Sequence, residues 1–215
     1  MLPDHYDLKD VLHATVNSRV CLVERDGQEY VAKLPPIGHE KAAKRFAREI
    51  GALQNAAGRH TIPIIDFADD YSWYVMPRAA GDLNTLTVPT DSETVLAVLT
   101  AMAESLRPLH AVGEVHRDLK PGNVLWLPDT GDERWVVADF GIVRNPLGAT
   151  TSDLTVTGVF LGTDGWAAPE QGIDAHDVTP AADVYAAGLI AAWMVTGKHP
   201  REGAVSSLTT APMAN

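Results

Sequence analysis

Four polar side chains in the middle of the chain have the types and spacing that phosphoryl transfer requires. Asp118, Lys120 and Asn123 lie within six positions, and Asp139 follows sixteen residues after Asn123. A carboxylate can orient a hydroxyl group, and a lysine can neutralise the charge of a phosphate. Amide and carboxylate oxygens are the ligands that magnesium prefers. Together these groups supply the components of magnesium-dependent phosphoryl transfer.

The elements around these side chains determine whether they meet. Residues 123–127 and 134–138 predict two short strands joined by a turn that contains proline and glycine. Asn123 begins the first strand and Asp139 follows the second, and adjacent antiparallel strands bring such ends together. We therefore expect Asn123 and Asp139 to form one magnesium site.

An earlier hairpin carries a lysine that could join this site. Residues 20–24 and 29–34 are apolar-rich runs on either side of Asp26 and Gly27, and Asp-Gly in this position predicts a two-residue β-turn. Lys33 lies near the end of the second run. A lysine on a strand is exposed by default, so Lys33 alone is weak evidence for a site.

The next segments predict a helix, two strands and a connector. Residues 39–57 have apolar side chains at three- and four-residue steps, and Glu49 lies at the edge of that face. A glutamate there is either solvated or turned inward toward the preceding lysine. Residues 62–67 and 72–76 predict strands. Proline and glycine in residues 77–82 indicate an extended connector between two lobes.

Two longer helices are predicted in the second half of the chain. Residues 90–93 read as a capping box, followed by a broad apolar stripe that continues to Leu109. A threonine and a proline begin a helix over residues 179–196, which is apolar nearly all round and is therefore predicted to be buried. Asp183 lies in its first turn, where a carboxylate favours the helix dipole.

Composition limits the class of protein. The chain has 215 residues, 46% of them hydrophobic, and a formal net charge of −11, which argues against a nucleic-acid-binding protein. The N-terminus does not resemble a signal peptide, and the longest apolar stretch, residues 184–195, is too short to span a bilayer. The single cysteine, Cys21, fits a reducing compartment and is expected to be a small buried residue, so a cytoplasmic location is predicted.

The motifs resemble those of a known family. The chain is similar to eukaryotic-type serine/threonine protein kinases, including the bacterial ones, over about residues 12–200. The resemblance rests on a catalytic loop (His116-Arg117-Asp118-Leu119-Lys120-Pro121-Gly122-Asn123), a metal-binding motif (Asp139-Phe140-Gly141) and a closing motif (Ala168-Pro169-Glu170). It implies an α+β, bilobal kinase-like fold, with a small β-rich N-lobe over a mainly helical C-lobe.

The resemblance implies a role for each of these positions. Lys33, paired with Glu49, would hold the phosphates of ATP; Asn123 and Asp139 would bind Mg²⁺; Asp118 would orient the acceptor hydroxyl; and Lys120 would neutralise the γ-phosphate. The adenine would be contacted by Val20, Ala32, Met76 as gatekeeper, Pro77, Ala79 and Leu125. The activation segment would involve Arg117, Thr155, Thr157, Thr163 and Glu170, with Thr151 and Ser152 as further acceptors. The structural positions would be His116, Phe140 and Asp183, the last of which would brace the catalytic loop.

Two departures from the family pattern are evident. His13, Thr15 and Ser18 stand where the glycine-rich loop would have its three glycines, which removes the backbone freedom that a close approach to phosphate uses. The chain is also short after residue 200. We expect an N-lobe over residues 1–78, a C-lobe over 79–200 that lacks its last helices, and a disordered polar tail over 201–215. The shortened C-lobe is expected to leave apolar surface for self-association or for a partner protein.

Three functions fit these observations. The first is a kinase acting on serine or threonine hydroxyls of proteins, including its own. The second is a pseudokinase or docking module that binds nucleotide without transfer, which the missing glycines favour. The third is a phosphotransferase acting on small molecules, but such enzymes usually lack the Lys-Pro dipeptide and the Ala-Pro-Glu motif.

Overall fold

The fold was analysed in a computed structural model of the chain. It describes residues 2–15, 18–35, 40–128, 132–140, 165–172 and 178–200. The candidate phosphate acceptors Thr151, Ser152, Thr155, Thr157 and Thr163, and the tail over 201–215, lie outside these ranges.

The N-terminal part is a five-stranded antiparallel sheet with one helix. The strands lie in the sheet in their order along the chain, except that the fifth strand lies between the third and the fourth. The predicted Asp-Gly hairpin is confirmed: Asp26 and Gly27 have φ angles of 54° and 77°, the left-handed values that a two-residue hairpin turn requires. The strands and the helix are β1 (Asp7–Ala14), β2 (Arg19–Arg25), β3 (Gln28–Leu34), α1 (Glu40–Asn55), β4 (Asp66–Phe67) and β5 (Tyr74–Pro77).

One face of this sheet has its own small core. Tyr6, which precedes β1, is buried against Trp73 and lies in a cluster with Cys21 and Val75. The Tyr6 hydroxyl donates a hydrogen bond to Asp66 and accepts one from Arg25 at 2.8 Å. These contacts fasten the residues before β1 to the sheet. The prediction that Cys21 is a buried side chain is confirmed.

The predicted strand over residues 62–67 is largely wrong. Asp66 and Phe67 pair with β5, preceded by a hydrogen bond from the Ile65 N–H to the Val75 carbonyl at 2.8 Å, while the backbone of Ile62 donates to Val137 at 3.0 Å. Pro63 follows, and a proline has no N–H group with which to continue a ladder. The segment therefore leaves the second sheet and joins the first, instead of forming one continuous strand.

The second part contains a three-stranded antiparallel sheet and two helices. Its elements are β6 (Gly81–Asp82), α2 (Ser92–Ala111), β7 (Val124–Leu127), β8 (Arg134–Val137) and α3 (Ala181–Thr196). The predicted hairpin of β7 and β8 is confirmed, as is the extent of α2. The predicted capping box is wrong by one position, because Asp91, rather than Thr90, caps α2 by accepting a hydrogen bond from the Thr94 N–H at 2.8 Å.

Helix α3 is buried on one side only, contrary to the sequence prediction. Ile190 is fully buried and Met194 lies beside it in the main core. Val184 and Val195 are 64% and 58% exposed on the opposite side. Apolar residues all round a helix therefore do not establish burial here, since α3 is covered mainly by α2 among the described elements. Gly197 ends the helix in a left-handed conformation, which glycine adopts without steric cost.

The main hydrophobic core joins both parts of the molecule. It contains residues of α1, α2, α3, β7 and β8, together with the fully buried Phe140. The first sheet ends at Pro77 and the second begins at Gly81, which is where the sequence predicts the connector. No helix of the described residues is long and apolar enough to cross a membrane.

Candidate active site

Lys33 lies in a buried network that joins three elements. Its ammonium group is 2.5 Å from Glu49 on α1 and 2.7 Å from Asp139 after β8. Glu49 also accepts a hydrogen bond from the Tyr74 hydroxyl at 2.7 Å, and both side chains are almost fully buried. Burial lowers the pKa of Lys33, but the two carboxylates outweigh it, so the pKa lies above its usual value. Lys33 therefore stays charged between the Glu49 and Asp139 carboxylates.

Asp139 is held as a carboxylate by the same network. The Asp139 side chain is 43% exposed, so only partial desolvation of its carboxyl group raises the pKa; the neighbouring Lys33 ammonium outweighs that effect and brings the pKa down to about 2. The φ angle of Asp139 is 63°, a left-handed value that is uncommon outside glycine. This left-handed residue ends the extended conformation of β8 at Asp139, whose carboxylate contacts Lys33.

The catalytic loop forms a compact cluster of hydrogen bonds. Lys120 lies 2.7 Å from the Asp118 carboxylate. The Asn123 amide nitrogen donates to the Asp118 backbone carbonyl at 2.7 Å and to its carboxylate at 3.3 Å. Asn123 ends a 3-10 turn over Pro121–Asn123 that leads into β7. The loop therefore fixes the orientation of the candidate base before any substrate is present.

Asn123 and Asp139 lie at adjacent ends of β7 and β8, as the sequence predicts. The Ala138 N–H donates to the Asn123 carbonyl at 2.9 Å, which joins the two ends directly. The Asn123 nitrogen faces Asp118, so its oxygen is the atom that can face a cation. Within the described residues, no group of three or more His, Cys, Asp or Glu side chains could hold a metal unaided. An amide and a carboxylate fit magnesium that arrives with nucleotide phosphates as its further ligands.

The backbone of the catalytic loop is anchored from several directions. Asp183 is 1% exposed and accepts hydrogen bonds from the N–H groups of His116 and Arg117, both at 2.9 Å. Arg117 has a φ angle of 70°, so these bonds stabilise a conformation that is unfavourable for a side-chain-bearing residue. His110, in the last turn of α2, lies 2.8 Å from Asp183 and ties that carboxylate to a second helix.

His116 links the loop to the segment after β8. Its Nε2 contacts the Ala138 carbonyl at 3.2 Å and its Nδ1 accepts from the Asp118 N–H at 3.3 Å, a pattern that fits the neutral tautomer protonated at Nε2. Its ring meets the buried Phe140 edge to face, with 5.0 Å between ring centroids. His116 and Phe140 are thus packing residues beneath the candidate site.

Strand register determines which apolar side chains share the face of the first sheet that carries Lys33. Val20 pairs with Lys33 and Met76 pairs with Val31, so these four side chains share one face of the sheet. Ala32 points to the other face, into the cluster with Cys21. Its predicted place beside Lys33, above adenine, is therefore wrong, because successive residues of a strand face opposite sides, and Val31 is the residue that shares the face of Lys33. Ala79 and Leu125 pack against the main core, as does Met76, and Pro77 ends β5 beside them.

The β1–β2 turn has polar residues where kinases have glycine. The Thr15 N–H donates to the Ser18 carbonyl at 2.9 Å, and the Ser18 N–H donates to the Thr15 hydroxyl at 3.1 Å. His13 pairs with Val20 in the adjoining ladder. Glu170, predicted to lie at the end of the activation segment, is the second residue of a 3-10 turn over Pro169–Gly172.

Three residues of the site were not singled out from the sequence. Tyr74 binds Glu49, His110 binds Asp183, and Gln171 binds the Arg117 carbonyl at 2.7 Å. Tyr74 alone had a usable signal, since it alternates with Met76 on a strand beside Lys33 and therefore faces the same side. The other two bonds join residues that are far apart in the chain, and no local pattern indicates them.

The sequence model of the protein kinase domain matches residues 14–212. The chain belongs to the protein kinase family. The catalytic loop, the Lys33–Glu49 pair and the two-sheet architecture of this kinase domain agree with that match.

Two curated relatives of the kinase domain are bacterial proteins. It is 35% identical over 167 residues to the serine/threonine-protein kinase AfsK of Streptomyces coelicolor, and 34% identical over 172 residues to the serine/threonine-protein kinase PknL of Mycobacterium tuberculosis. These alignments cover 74% and 77% of the chain but only 20% and 41% of the relatives. The chain therefore spans less than half the length of these proteins.

Proposed function

We propose that this kinase domain transfers the γ-phosphate of ATP to serine or threonine hydroxyls of proteins. The observation that carries the proposal is the meeting of Lys33, Asp118, Asn123 and Asp139, each held by hydrogen bonds or ion pairs before substrate binds. The names of the relatives support the choice of serine and threonine. Such preorganisation supplies the positioning and charge stabilisation on which phosphoryl transfer depends.

Each residue then has a physical role. Lys33, fixed by Glu49, binds the α- and β-phosphates, and Val20, Val31, Met76, Pro77, Ala79 and Leu125 enclose the adenine. Asp118 orients the acceptor hydroxyl and accepts its proton, while Lys120 stays beside it to meet the transferred phosphoryl group. Asn123 and Asp139 would hold magnesium, which supplies neutralisation of the phosphate charge when it is bound.

A transfer assay with a matched variant tests this proposal. Purified protein is incubated with radiolabelled ATP, magnesium and a generic protein acceptor, beside Asp118→Asn. We expect transfer by the wild-type chain and a rate roughly 10²–10⁴-fold lower in the variant, the usual contribution of a general base. Equal labelling by the two proteins would contradict the proposal, because labelling would then not depend on Asp118.

Nucleotide binding without transfer is a second candidate function. It is favoured by the side chains of His13, Thr15 and Ser18, which stand where kinases have glycine, and by the hydrogen bonds that Thr15 and Ser18 make with each other. ATP binding measured by calorimetry, combined with no transfer at any acceptor concentration, would support this function. Restoring glycine at the three positions would then be expected to produce measurable transfer, since a glycine backbone can approach phosphate closely.

A further inference from the structure

Gln171 makes two buried hydrogen bonds that connect separate parts of the candidate active site. Its side chain is 5% exposed. The carboxamide oxygen accepts from the Ala168 N–H at 3.0 Å, and the carboxamide nitrogen donates to the Arg117 carbonyl at 2.7 Å. A carboxamide can accept and donate at the same time, which neither a carboxylate nor an apolar side chain of this size can do.

The bond to Arg117 acts on a strained peptide next to Asp118. Arg117 has a φ angle of 70°, and its N–H is bound by Asp183. Gln171 binds the carbonyl of the same residue, so the backbone of Arg117 is held on both sides. The carbonyl of Arg117 belongs to the peptide that leads directly into Asp118, and its orientation therefore affects where that carboxylate points.

Ala168, whose N–H binds the Gln171 side chain, lies in a small hydrophobic cluster. Ala168 is fully buried in a small cluster with Val115, Val178 and Ala182. Val115 directly precedes the catalytic loop, and Ala182 directly precedes Asp183. Nearby, Trp166 packs edge to face on Trp193 of α3, with 5.9 Å between ring centroids. The end of the segment over residues 165–172 is therefore anchored on the helix that braces the catalytic loop.

We propose that Gln171 is a positioning residue that couples the end of the activation segment to the catalytic loop. When residues 165–172 are docked on α3, Gln171 holds the Arg117 peptide and keeps Asp118 in line for transfer. When they are displaced, the Arg117 carbonyl loses the hydrogen bond from Gln171, and the peptide that leads into Asp118 is held less firmly, while Lys120 and Asn123 still contact the Asp118 carboxylate. The inference rests on the proposed kinase function, and it assigns to Gln171 a regulatory role in that reaction.

Two variants separate this role from simple packing. Gln171→Glu keeps the acceptor for the Ala168 N–H but replaces the donor to the Arg117 carbonyl with a carboxylate oxygen. Gln171→Met keeps the length of the side chain and removes both bonds. Gln28→Glu, on the exposed start of β3, adds the same charge at a distance from the site and is the control.

Steady-state kinetics gives the first readout. We expect both Gln171 variants to lower kcat by on the order of 10- to 100-fold, the size of effect that a small misplacement of a reacting group produces. The Kd for ATP, measured by calorimetry, is expected to stay at the wild-type value because Lys33, Asn123 and Asp139 are untouched. A wild-type kcat in Gln171→Glu, or a Kd that weakens in step with kcat, would overturn the proposal.

Amide hydrogen exchange gives a readout that does not require activity. In both Gln171 variants, we expect faster exchange in the peptide over residues 115–120, with exchange of β2 and β3 unchanged. Unchanged exchange at 115–120 would overturn the coupling, and faster exchange throughout the chain would show a loss of folding instead. If the wild-type chain transfers no phosphate, the proposed function fails, while the exchange result still decides whether Gln171 holds the loop.

Discussion

At the residue scale, the buried side chain of Glu49 positions two other side chains of the candidate site. Glu49 is 1% exposed and is shared between Lys33 and the hydroxyl of Tyr74. A buried carboxylate needs several donors, because removing its partners leaves the full cost of desolvation uncompensated. The position of α1 is thus fixed through a side chain of β5 as well as through the lysine.

Replacing Tyr74 with phenylalanine tests this arrangement. Because the hydrogen bond is buried and has a charged acceptor, Tyr74→Phe is expected to lower the free energy of unfolding by about 1.5–3 kcal/mol. Tyr71→Phe, at a 39% exposed tyrosine, is the matched control and is expected to change stability very little. Urea denaturation of the two variants measures the difference, and equal losses would contradict a special role for Tyr74.

The lowered pKa values of two carboxyl groups make the free energy of unfolding depend on pH in acid. Burial raises the pKa of Asp183, but hydrogen bonds from His110 and from backbone amides outweigh it, so its pKa lies below the usual 3.8, and the pKa of Asp139 is about 2. A lowered native pKa contributes stability that is complete above pH 3.8 and is lost as the pH falls toward the native pKa.

Substitution of Asp139 tests whether this carboxylate contributes to the loss of stability in acid. We expect the free energy of unfolding, measured by urea denaturation from pH 6 to pH 2.5, to fall below about pH 4 in the wild-type chain. Asp139→Asn should reduce the steepness of that fall, since the variant has no proton to bind at this position. Asp69→Asn, in an exposed turn, is the control. An unaltered pH profile in Asp139→Asn would rule out the assigned contribution.

At the element scale, α3 has two different faces. Ile190 lies in the main core, whereas Val184 is 64% exposed. We expect Ile190→Ala to lower the free energy of unfolding by about 2–5 kcal/mol, because it leaves a cavity. Val184→Ala on the same helix should change it by less than about 0.5 kcal/mol. Similar losses in urea denaturation would mean that the outer face of α3 is covered in solution.

The same helix shows where sequence reasoning reaches its limit. Spacing and turn chemistry were sufficient for the Asp-Gly hairpin, for α2 and for the β7–β8 hairpin, because each is determined by residues close together in the chain. The exposure of Val184 depends on which elements surround α3. Likewise, Ala32 was assigned to the wrong face, because an error of one residue along a strand reverses the side on which a side chain lies.

At the scale of the whole molecule, the candidate site depends on both parts of the chain. Lys33 belongs to the first sheet, while Asp139 follows the last strand of the second, and their ion pair of 2.7 Å joins the two. A ligand that binds both residues would bind the folded chain only. Nucleotide and metal together are therefore expected to stabilise the entire fold.

Thermal unfolding with and without magnesium tests this dependence. Adding ATP with magnesium at 100 times its Kd is expected to stabilise the chain by about 2.7 kcal/mol, as mass action requires. Removing magnesium with a chelator should abolish most of that gain. In Asp139→Asn, ATP should give the same small stabilisation with or without magnesium. If ATP stabilised the wild-type chain by the full amount in the presence of the chelator, the proposed metal site would be excluded.

The burial of the single thiol has a practical consequence. Cys21 is 2% exposed in the core of the first sheet, and burial raises its pKa, so the thiol is protected from modifying reagents while β2 stays paired. Because the chain has one cysteine, its rate of alkylation is a built-in reporter of opening in this sheet alone. ATP should slow that alkylation if nucleotide binding holds the first sheet closed, and an unchanged rate would show that this sheet opens independently of the cleft.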